Sequence, residues 1–322
     1  MRLLTLVAVF CLAGMPSLAQ SQTQLRLGHP QAETSAFQAG AQALAADLER
    51  RTHGRYKVQI FPAGALGGER ELIASAQNGS LDLVLTSTGP VGLFVPDTLL
   101  TDIPFLFRDY EHARKVLDGP IGQDILARFQ SKGLIGLAWG ENGFRHLTNS
   151  KRPVSKPEDL RGLKIRTMEN PVHITAFKVL GAQAAPMSFT DLYTALKVGT
   201  IDGQENPLPT ILASGFGPLQ KYLSLTGHVY SPALFIAAPA TFNRLSEVDR
   251  KALVDAARVG AAAMRKRVSE VEAQALEALQ KEGVIVESGI DKSKFQAALT
   301  PAYADYAKKF GNQTLERIRD YR

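Results

Sequence analysis

The sequence of 322 residues contains a single cysteine, Cys11. Residues 1–19 have the layout of a cleaved secretory signal, because Arg2 precedes an apolar run that ends in small residues. We expect the mature chain to begin near Gln20 and therefore to contain no cysteine. That composition excludes disulfides, thiolate metal sites and a cysteine nucleophile from the exported protein.

Long apolar runs are also absent beyond the N-terminal segment. A membrane-spanning helix needs about 18 uninterrupted apolar residues, and no later segment reaches that length. We therefore expect a soluble protein that functions outside the cytoplasm and has no membrane span. A mature chain of about 300 residues exceeds the size at which a single hydrophobic core is usual, so it predicts roughly two domains.

A concentrated positive charge is missing as well. The 37 Lys and Arg residues exceed the 31 Asp and Glu residues by 6, and by 5 once Arg2 is removed, but the basic residues are scattered among acids. Nucleic-acid binding would require a basic stripe with stacking aromatic residues, so we expect no nucleic-acid partner. A weak positive bias is compatible with a small anionic ligand.

Motifs for catalysis and for cofactors are absent too. The six histidines show no pair at metal-helix spacing, and there is no Walker loop, dinucleotide-binding glycine pattern or nucleophile elbow. We expect no metal, no cofactor and no enzymatic activity. A dispersed Ser-His-Asp triad has no sequence signature, so a secreted hydrolase stays open as a less favoured alternative.

The spacing of polar and apolar residues predicts strands alternating with helices. Segments such as LRLGH from Leu25 and YKVQIF from Tyr56 have the period of strands, and residues 37–48 between them have helical spacing. Later strands are predicted at LDLVLTS, GLIGLAW, GLKIRT, YLSLTGH and ALFIAAP. The fold class is therefore α/β with mostly parallel sheets, in which ligands bind beyond the carboxyl ends of strands.

One helical pattern is too long for a single domain of this size. It begins at Ser246, with Asp249 in a position typical of a capping box, and continues to Gly283. At about 1.5 Å per residue its length is on the order of 50 Å. We expect this helix to cross from one domain to the other. Passages between the domains are predicted near residues 141–162 and 227–235.

Arg166 ends the apolar strand segment GLKIR just before Pro171 initiates a helix. A guanidinium has the planar geometry that binds a carboxylate through two hydrogen bonds. The alternative is a surface or structural arginine. The same two alternatives, ligand binding and a structural role, apply to Arg145 and Asn206. Asn206 directly precedes a proline, where a residue often serves only to form a turn.

Several motifs in one order identify a resemblance. The segments FPAGALGGERELIASAQNGSLDL, NGFRHLTNSKRPVSKPEDLRGLKIRTMENP, PMSFTDLYTALKVGTIDGQENPL and KYLSLTGHVYSPALF resemble the DctP-type solute receptors of TRAP (tripartite ATP-independent periplasmic) transporters. The similarity covers nearly the whole mature chain. It implies an α/β, two-lobed periplasmic binding protein (class II-like) with a hinge cleft and a long domain-spanning helix.

The resemblance also implies roles for individual residues. Arg166 would form a bidentate salt bridge with the carboxylate of the ligand, Asn206 would hold the same carboxylate, and Arg145 would add a further contact. Three other motif positions often line the cleft in such receptors: His29 and Glu69 would bond hydroxyl groups, and Phe189 would cover an apolar face of a ring. The alternatives for these three are a turn residue, a charge at a helix N-terminus and a core side chain.

The resemblance finally implies a division into lobes and a set of partners. Lobe I is expected at residues 24–143 plus 232–271, and lobe II at residues 144–231 plus 272–322. The expected function is that of a periplasmic, monomeric receptor that delivers a small organic acid to a TRAP permease. Polar cleft residues beside one carboxylate anchor favour a sugar acid such as a uronate or aldonate, and a C4-dicarboxylate is the alternative.

Overall fold

The fold is known from a computed structural model that describes residues 22–322. The predicted signal segment, residues 1–19, lies outside the described residues. No helix within residues 22–322 is both long enough and apolar enough to cross a membrane.

A nine-stranded mixed sheet forms the centre of the molecule. Its strands are β1 Thr23–Gly28, β2 Tyr56–Phe61, β3 Leu83–Ser87, β4 Ile135–Asn149, β5 Lys164–Thr167, β6 Gln183–Pro186, β7 Gly203–Pro207, β8 Tyr222–Ala237 and β9 Ile285–Glu287. The spatial order is β2-β1-β3-β8-β4-β7-β5-β6, and β9 pairs with β8. Strands pair in parallel toward the two ends of the sheet, as predicted, whereas β3–β8, β8–β4 and β4–β7 in its centre are antiparallel.

Two strands in the centre are much longer than the sequence predicted. β4 continues ten residues beyond Trp139, where the predicted strand ended, and the predicted strands YLSLTGH and ALFIAAP are one strand, β8. The predicted ends of these strands were therefore wrong, and the predicted passages near residues 141–162 and 227–235 contain parts of β4 and β8. Pro232 and the glycines of both segments break the alternation of polar and apolar residues, but β4 and β8 pair with each other throughout and satisfy each other's backbone groups.

The helices cover the sheet. They are α1 Ala36–Arg51, α2 Glu69–Gln77, α3 Thr88–Val91, α4 Tyr110–Asp118, α5 Pro120–Arg128, α6 Pro171–Val179, α7 Phe189–Val198, α8 Leu208–Ala213, α9 Pro239–Arg244, α10 Glu247–Lys281, α11 Lys292–Ala298, α12 Thr300–Phe310 and α13 Asn312–Arg319. Short 3₁₀ helices occupy Pro96–Asp102, Gln130–Lys132, Pro157–Leu160 and Gly217–Leu219.

The long helix is α10, and it begins where the capping pattern predicted. The Ser246 side chain accepts a hydrogen bond from the Asp249 backbone N–H. The first half of α10 packs with α1 in the core of one lobe, through residues such as Leu253. Ala275 and Leu279 belong to the core of the other lobe. The prediction that this helix spans both lobes of an α/β fold is confirmed.

A third apolar cluster joins the two ends of the molecule. It includes Val84 from β3, Ile165 from β5 and Tyr306 from α12. Apolar packing in this cluster therefore involves strands from both ends of the sheet.

Candidate functional site

The cleft lies where strands from the two lobes end against the middle of the β4–β8 pair. Ser87, the last residue of β3, is aligned with Ala233 in β8, and Pro207, the last residue of β7, is aligned with Arg145 in β4. β3 and β7 approach from opposite ends of the sheet, so their carboxyl ends face each other. The predicted ligand position, beyond the carboxyl ends of the strands, corresponds to this gap.

The middle of β4 is irregular, and this exposes polar groups to the gap. The register between β4 and β8 shifts between Glu141 and Gly143, as in a β-bulge. Gly143 has a φ of 113°, which favours glycine. Within the bulge, the Asn142 amide donates to Ser87 Oγ at 3.0 Å and accepts from Gln31 Nε2 at 3.1 Å. These bonds connect β4 to the first lobe at the cleft wall.

Arg166 is the last residue but one of β5 and is only 2% exposed. Its Nε and Nη2 atoms donate to the Met187 carbonyl oxygen at 3.0 and 2.7 Å, which fixes the plane of the guanidinium. Its Nη1 atom has no hydrogen-bond partner among residues 22–322. Burial lowers the pKa of Arg166 to about 10, so the group is still a cation at neutral pH. A fixed, buried cation with a free N–H edge is suited to binding an anion.

Arg145 forms a buried ion pair with Glu205. The Arg145 Nε and Nη2 atoms donate to the two carboxylate oxygens of Glu205, and Nη1 lies 3.4 Å from Ser231 Oγ. Burial alone would raise the pKa of Glu205, but Arg145 and His228 lower it well below its usual range. Arg145 and Glu205 thus neutralise each other. The geometry makes Arg145 a residue that positions the site, and the predicted contact with the ligand stays a prediction.

Asn206 is buried in β7, immediately after Glu205. Its amide nitrogen donates to Gln204 Oε1. His146 of β4 is aligned with Asn206 across the sheet. The structure therefore places Asn206 beside the Arg145–Glu205 pair, at the edge of the gap.

His29 and Glu69 lie on the opposite wall of the cleft, and both are buried. His29 Nε2 lies 2.8 Å from Gln38 Oε1, while Nδ1 has no partner within residues 22–322. Burial lowers the pKa of His29, although the Gln38 side chain and the Gln31 backbone act in the opposite direction, so the ring is neutral at pH 7. Glu69 Oε1 accepts from the Thr86 hydroxyl and from the Ser87 backbone N–H, at 3.0 and 2.7 Å. Glu69 thus holds the end of β3.

Phe189 is the first residue of α7 and is half-buried. It packs against the core of the second lobe, with its ring centroid 6.2 Å from that of Phe216. The alternative of a core side chain therefore has a structural basis. The predicted contact with a ring of the ligand stays a prediction.

The two lobes touch each other around the cleft entrance. A Cβ atom added to Gly68 would lie 2.6 Å from Ser188 Oγ, so only a glycine permits this approach without displacement. Nearby, Arg70 Nη1 lies 2.8 Å from Glu169 Oε1. Deeper in the cleft, Asn170 Nδ2 donates to Asp102 Oδ2 at 2.7 Å. The structure is therefore a closed form.

Two groups in the cleft were missed by sequence reasoning. Thr167 and His173 are both buried, and Thr167 Oγ1 and both ring nitrogens of His173 lack partners among residues 22–322. Thr167 directly follows Arg166, so the expectation that ligands bind beyond the carboxyl ends of strands should have included it. His173 is within the first turn of α6, where a histidine gives no signal distinct from a core residue.

A family model matches most of the chain. The model of the DctP family, bacterial extracellular solute-binding protein family 7, matches residues 27–309. The chain belongs to this family. The resemblance stated from the motifs is therefore confirmed.

Solved structures of the family are close to this DctP-family protein. A TRAP periplasmic solute-binding protein from Polaromonas sp. JS666, bound to D-erythronate, is 53% identical, with a TM-score of 0.91 over 92% of this chain and 98% of its own. A second, from Bordetella bronchiseptica, with density interpreted as pantoate, is 50% identical, with a TM-score of 0.92 over 94% of this chain and 100% of its own. Both are solute receptors, which agrees with the two-lobed fold.

A relative named for its ligand is also a periplasmic binding protein. The 2,3-diketo-L-gulonate-binding periplasmic protein of Escherichia coli K12 is 38% identical, over 93% of this chain and 92% of its own length. These three relatives are periplasmic binding proteins, each associated with an organic acid.

Proposed function

We propose that this protein is a receptor for a short hydroxylated monocarboxylic acid, such as an aldonate of about four carbons. The proposal rests on the buried Arg166 guanidinium. Its Nη1 atom has no hydrogen-bond partner within residues 22–322, and its Nη2 atom uses one of two N–H groups to donate to the Met187 carbonyl oxygen. Three N–H groups are then free, two on Nη1 and one on Nη2, and one from each nitrogen can bind the two oxygens of one carboxylate. Neutral hydrogen-bonding groups, among them His29, lie in the same cleft.

The bound acids of the similar structures support this ligand class. D-erythronate and pantoate are both monocarboxylates that carry hydroxyl groups on a four-carbon main chain. The E. coli relative is named for a longer sugar acid. The acid recognised by this chain has the carboxylate and the hydroxyls that these molecules share.

A dicarboxylate is the less favoured ligand. Arg145 and Arg166 are the arginines buried among residues 22–322. Arg145 is neutralised by Glu205, whereas Arg166 has no ion-pair partner within these residues. Glu69 lies on the opposite wall. A second ligand carboxylate would be close to these anions and would have no cation to pair with.

Ligand binding stabilises the closed form. When the lobes close, water is removed from around Arg166, and the attraction between the guanidinium and the carboxylate becomes stronger in the drier site. Closure is stabilised only to the extent that the ligand binds the closed form better than the open form. The hinge of this motion is the β4–β8 pair, and the lobes are residues 24–143 plus 232–271 and residues 144–231 plus 272–322.

The closed receptor delivers its acid to a TRAP permease in the membrane. We place the protein in the periplasm as a monomer without catalytic activity of its own. The periplasmic binding proteins among its relatives support the location. Reconstituted permease vesicles should take up labelled acid only when this protein is added. Light scattering should give the mass of one chain.

A thermal-shift screen tests the ligand class. The full mature chain is heated with aldonates, uronates, C4-dicarboxylates and neutral sugars at equal concentrations. Short aldonates should raise the melting temperature, because a ligand that binds only the folded protein stabilises it by mass action. Stabilisation by dicarboxylates alone would contradict the proposal. Unchanged recovery of the acid after incubation would separate a receptor from a hydrolase.

A further inference from the structure

Most of the unsatisfied polar atoms at the candidate site belong to one short segment. Within residues 22–322, the buried side-chain atoms without a hydrogen-bond partner include Arg166 Nη1, Thr167 Oγ1 and both ring nitrogens of His173. All of these atoms belong to the end of β5 and the first turn of α6. Buried polar groups are normally hydrogen-bonded, so a cluster of unpaired groups requires a reason.

His173 differs from His112, whose hydrogen bonds within the fold give it a structural role. His112 is also buried, but its Nδ1 accepts from the Arg108 backbone N–H at 3.1 Å and its Nε2 lies 2.9 Å from the Ile318 carbonyl oxygen. His173 Nδ1 lies 4.0 Å from Glu205 Oε1, which is too far for a hydrogen bond. The fold satisfies His112 completely and leaves the His173 ring unsatisfied.

The His173 ring is in the same electrostatic environment as the anchor. Glu205 and Arg145 act on the charge of both His173 and Arg166, so the four groups form one buried cluster. Burial, together with the charges of Arg145 and His228, lowers the pKa of His173 to about 3, although Glu205 and the backbone of Asp102 act in the opposite direction. The ring is therefore neutral, with one donor and one acceptor.

We propose that His173 recognises the 2-hydroxyl group of the bound acid. A hydroxyl group is both a donor and an acceptor, as the neutral imidazole is, and the 2-hydroxyl is the one adjacent to the carboxylate held by Arg166. This inference rests on the proposed function. It identifies the residue that selects 2-hydroxy acids over acids without that group.

Calorimetry with three acids tests the assignment. The full mature chain is titrated with D-erythronate, with 3,4-dihydroxybutanoate, which lacks the 2-hydroxyl, and with 2,4-dihydroxybutanoate, which lacks the 3-hydroxyl. The wild-type protein should bind D-erythronate at least about tenfold more tightly than the 2-deoxy acid, because the ring would otherwise be left unpaired. In His173→Phe this ratio should fall to within about twofold, since the variant has no nitrogen to satisfy.

The preference for D-erythronate over the 3-deoxy acid should be the same in His173→Phe as in the wild type. The matched control is His112→Phe, which removes a buried imidazole outside the cleft and should leave both ratios unchanged. An unchanged 2-hydroxyl ratio in His173→Phe, or an equal loss of affinity for all three acids, would overturn the assignment. The second result would mean a purely structural histidine.

A spectroscopic measurement covers the case in which His173→Phe does not fold. The ring nitrogens of ¹⁵N-histidine-labelled wild-type protein are observed with each acid, and His173→Asn provides the resonance assignment. D-erythronate should shift the His173 nitrogens, and the 2-deoxy acid should shift them much less. Equal shifts with both acids would refute the proposal. If none of the acids binds the wild type, the proposed function fails and this inference fails with it.

Discussion

The Arg70 guanidinium at the start of α2 lies 2.8 Å from the Glu169 carboxylate in the turn between β5 and α6. In the proposed division Arg70 belongs to lobe I and Glu169 to lobe II, so this ion pair can exist only when the cleft is closed. The Arg70 side chain is 53% exposed and Glu169 24% exposed, which means that water screens the pair. It contributes to closure only modestly.

Arg70→Gln should therefore weaken ligand binding slightly. Exposed ion pairs are worth about 0.2–1 kcal/mol, which corresponds to an increase in the dissociation constant of at most about fivefold. The effect should shrink as salt is raised, because salt screens exposed charges. Calorimetry at low and high ionic strength measures it. The control is Arg128→Gln, whose partner Asp97 lies in the same lobe. Equal effects of the two substitutions would contradict a role in closure.

Arg166→Lys should weaken acid binding at least about tenfold, or about 1.4 kcal/mol. Lysine keeps the positive charge but lacks the planar fork, and it cannot donate to Met187 and to a carboxylate in the same geometry. Titration calorimetry with D-erythronate provides the measurement. Arg50→Lys, at a position with a 68% exposed side chain, serves as the control. Undiminished affinity of Arg166→Lys would exclude this residue as the anchor.

Glu205→Gln should destabilise the protein strongly. The substitution removes the charge that neutralises the buried Arg145, and leaving one member of a buried ion pair uncompensated costs about 3–5 kcal/mol. Chemical denaturation without ligand measures the free energy of unfolding. Glu277→Gln removes an exposed partner of Lys281 and should change that free energy by less than about 0.5 kcal/mol. A comparable, small effect of both substitutions would mean that the buried pair is not needed for stability.

Asp102 should make stability depend on pH. Burial raises the pKa of its carboxyl from 3.8 to about 7, although hydrogen bonds from Thr88 and Asn170 and the charge of Arg145 lower it. The folded protein thus binds a proton that the unfolded chain releases. The contribution of Asp102 to the free energy of unfolding should fall as pH rises from about 4 to about 7, by an amount on the order of a few kcal/mol, and stay constant above.

Asp102→Asn isolates this effect, because asparagine does not titrate while all other groups titrate as before. Urea unfolding of both proteins at several pH values between 4 and 8 provides the test. The stability of the wild type relative to the variant should decline with pH in this window. Parallel curves would show that the buried carboxyl does not titrate there.

Much of the fold was accessible from local patterns. The period of YKVQIF predicted β2 with its observed bounds, and the Ser246 capping pattern predicted where α10 begins. The predictions failed at β4 and β8, which were read as shorter strands ending at polar and proline-containing passages. The local sequence patterns of these segments indicate that the strands break. The two strands are continuous because they pair with each other, and the sequence of one segment alone does not predict this pairing.

The sequence by itself determined the α/β class, the long helix and the family motifs that single out Arg166, because periodicity, capping and order of motifs are local properties of the chain. Only the tertiary structure decided which polar groups are satisfied. Arg145 and Glu205 are 60 residues apart and neutralise each other, while His173 is close to both and unpaired. Whether a buried group is free to bind a ligand depends on partners distant in sequence, and these are fixed only when the lobes pack together.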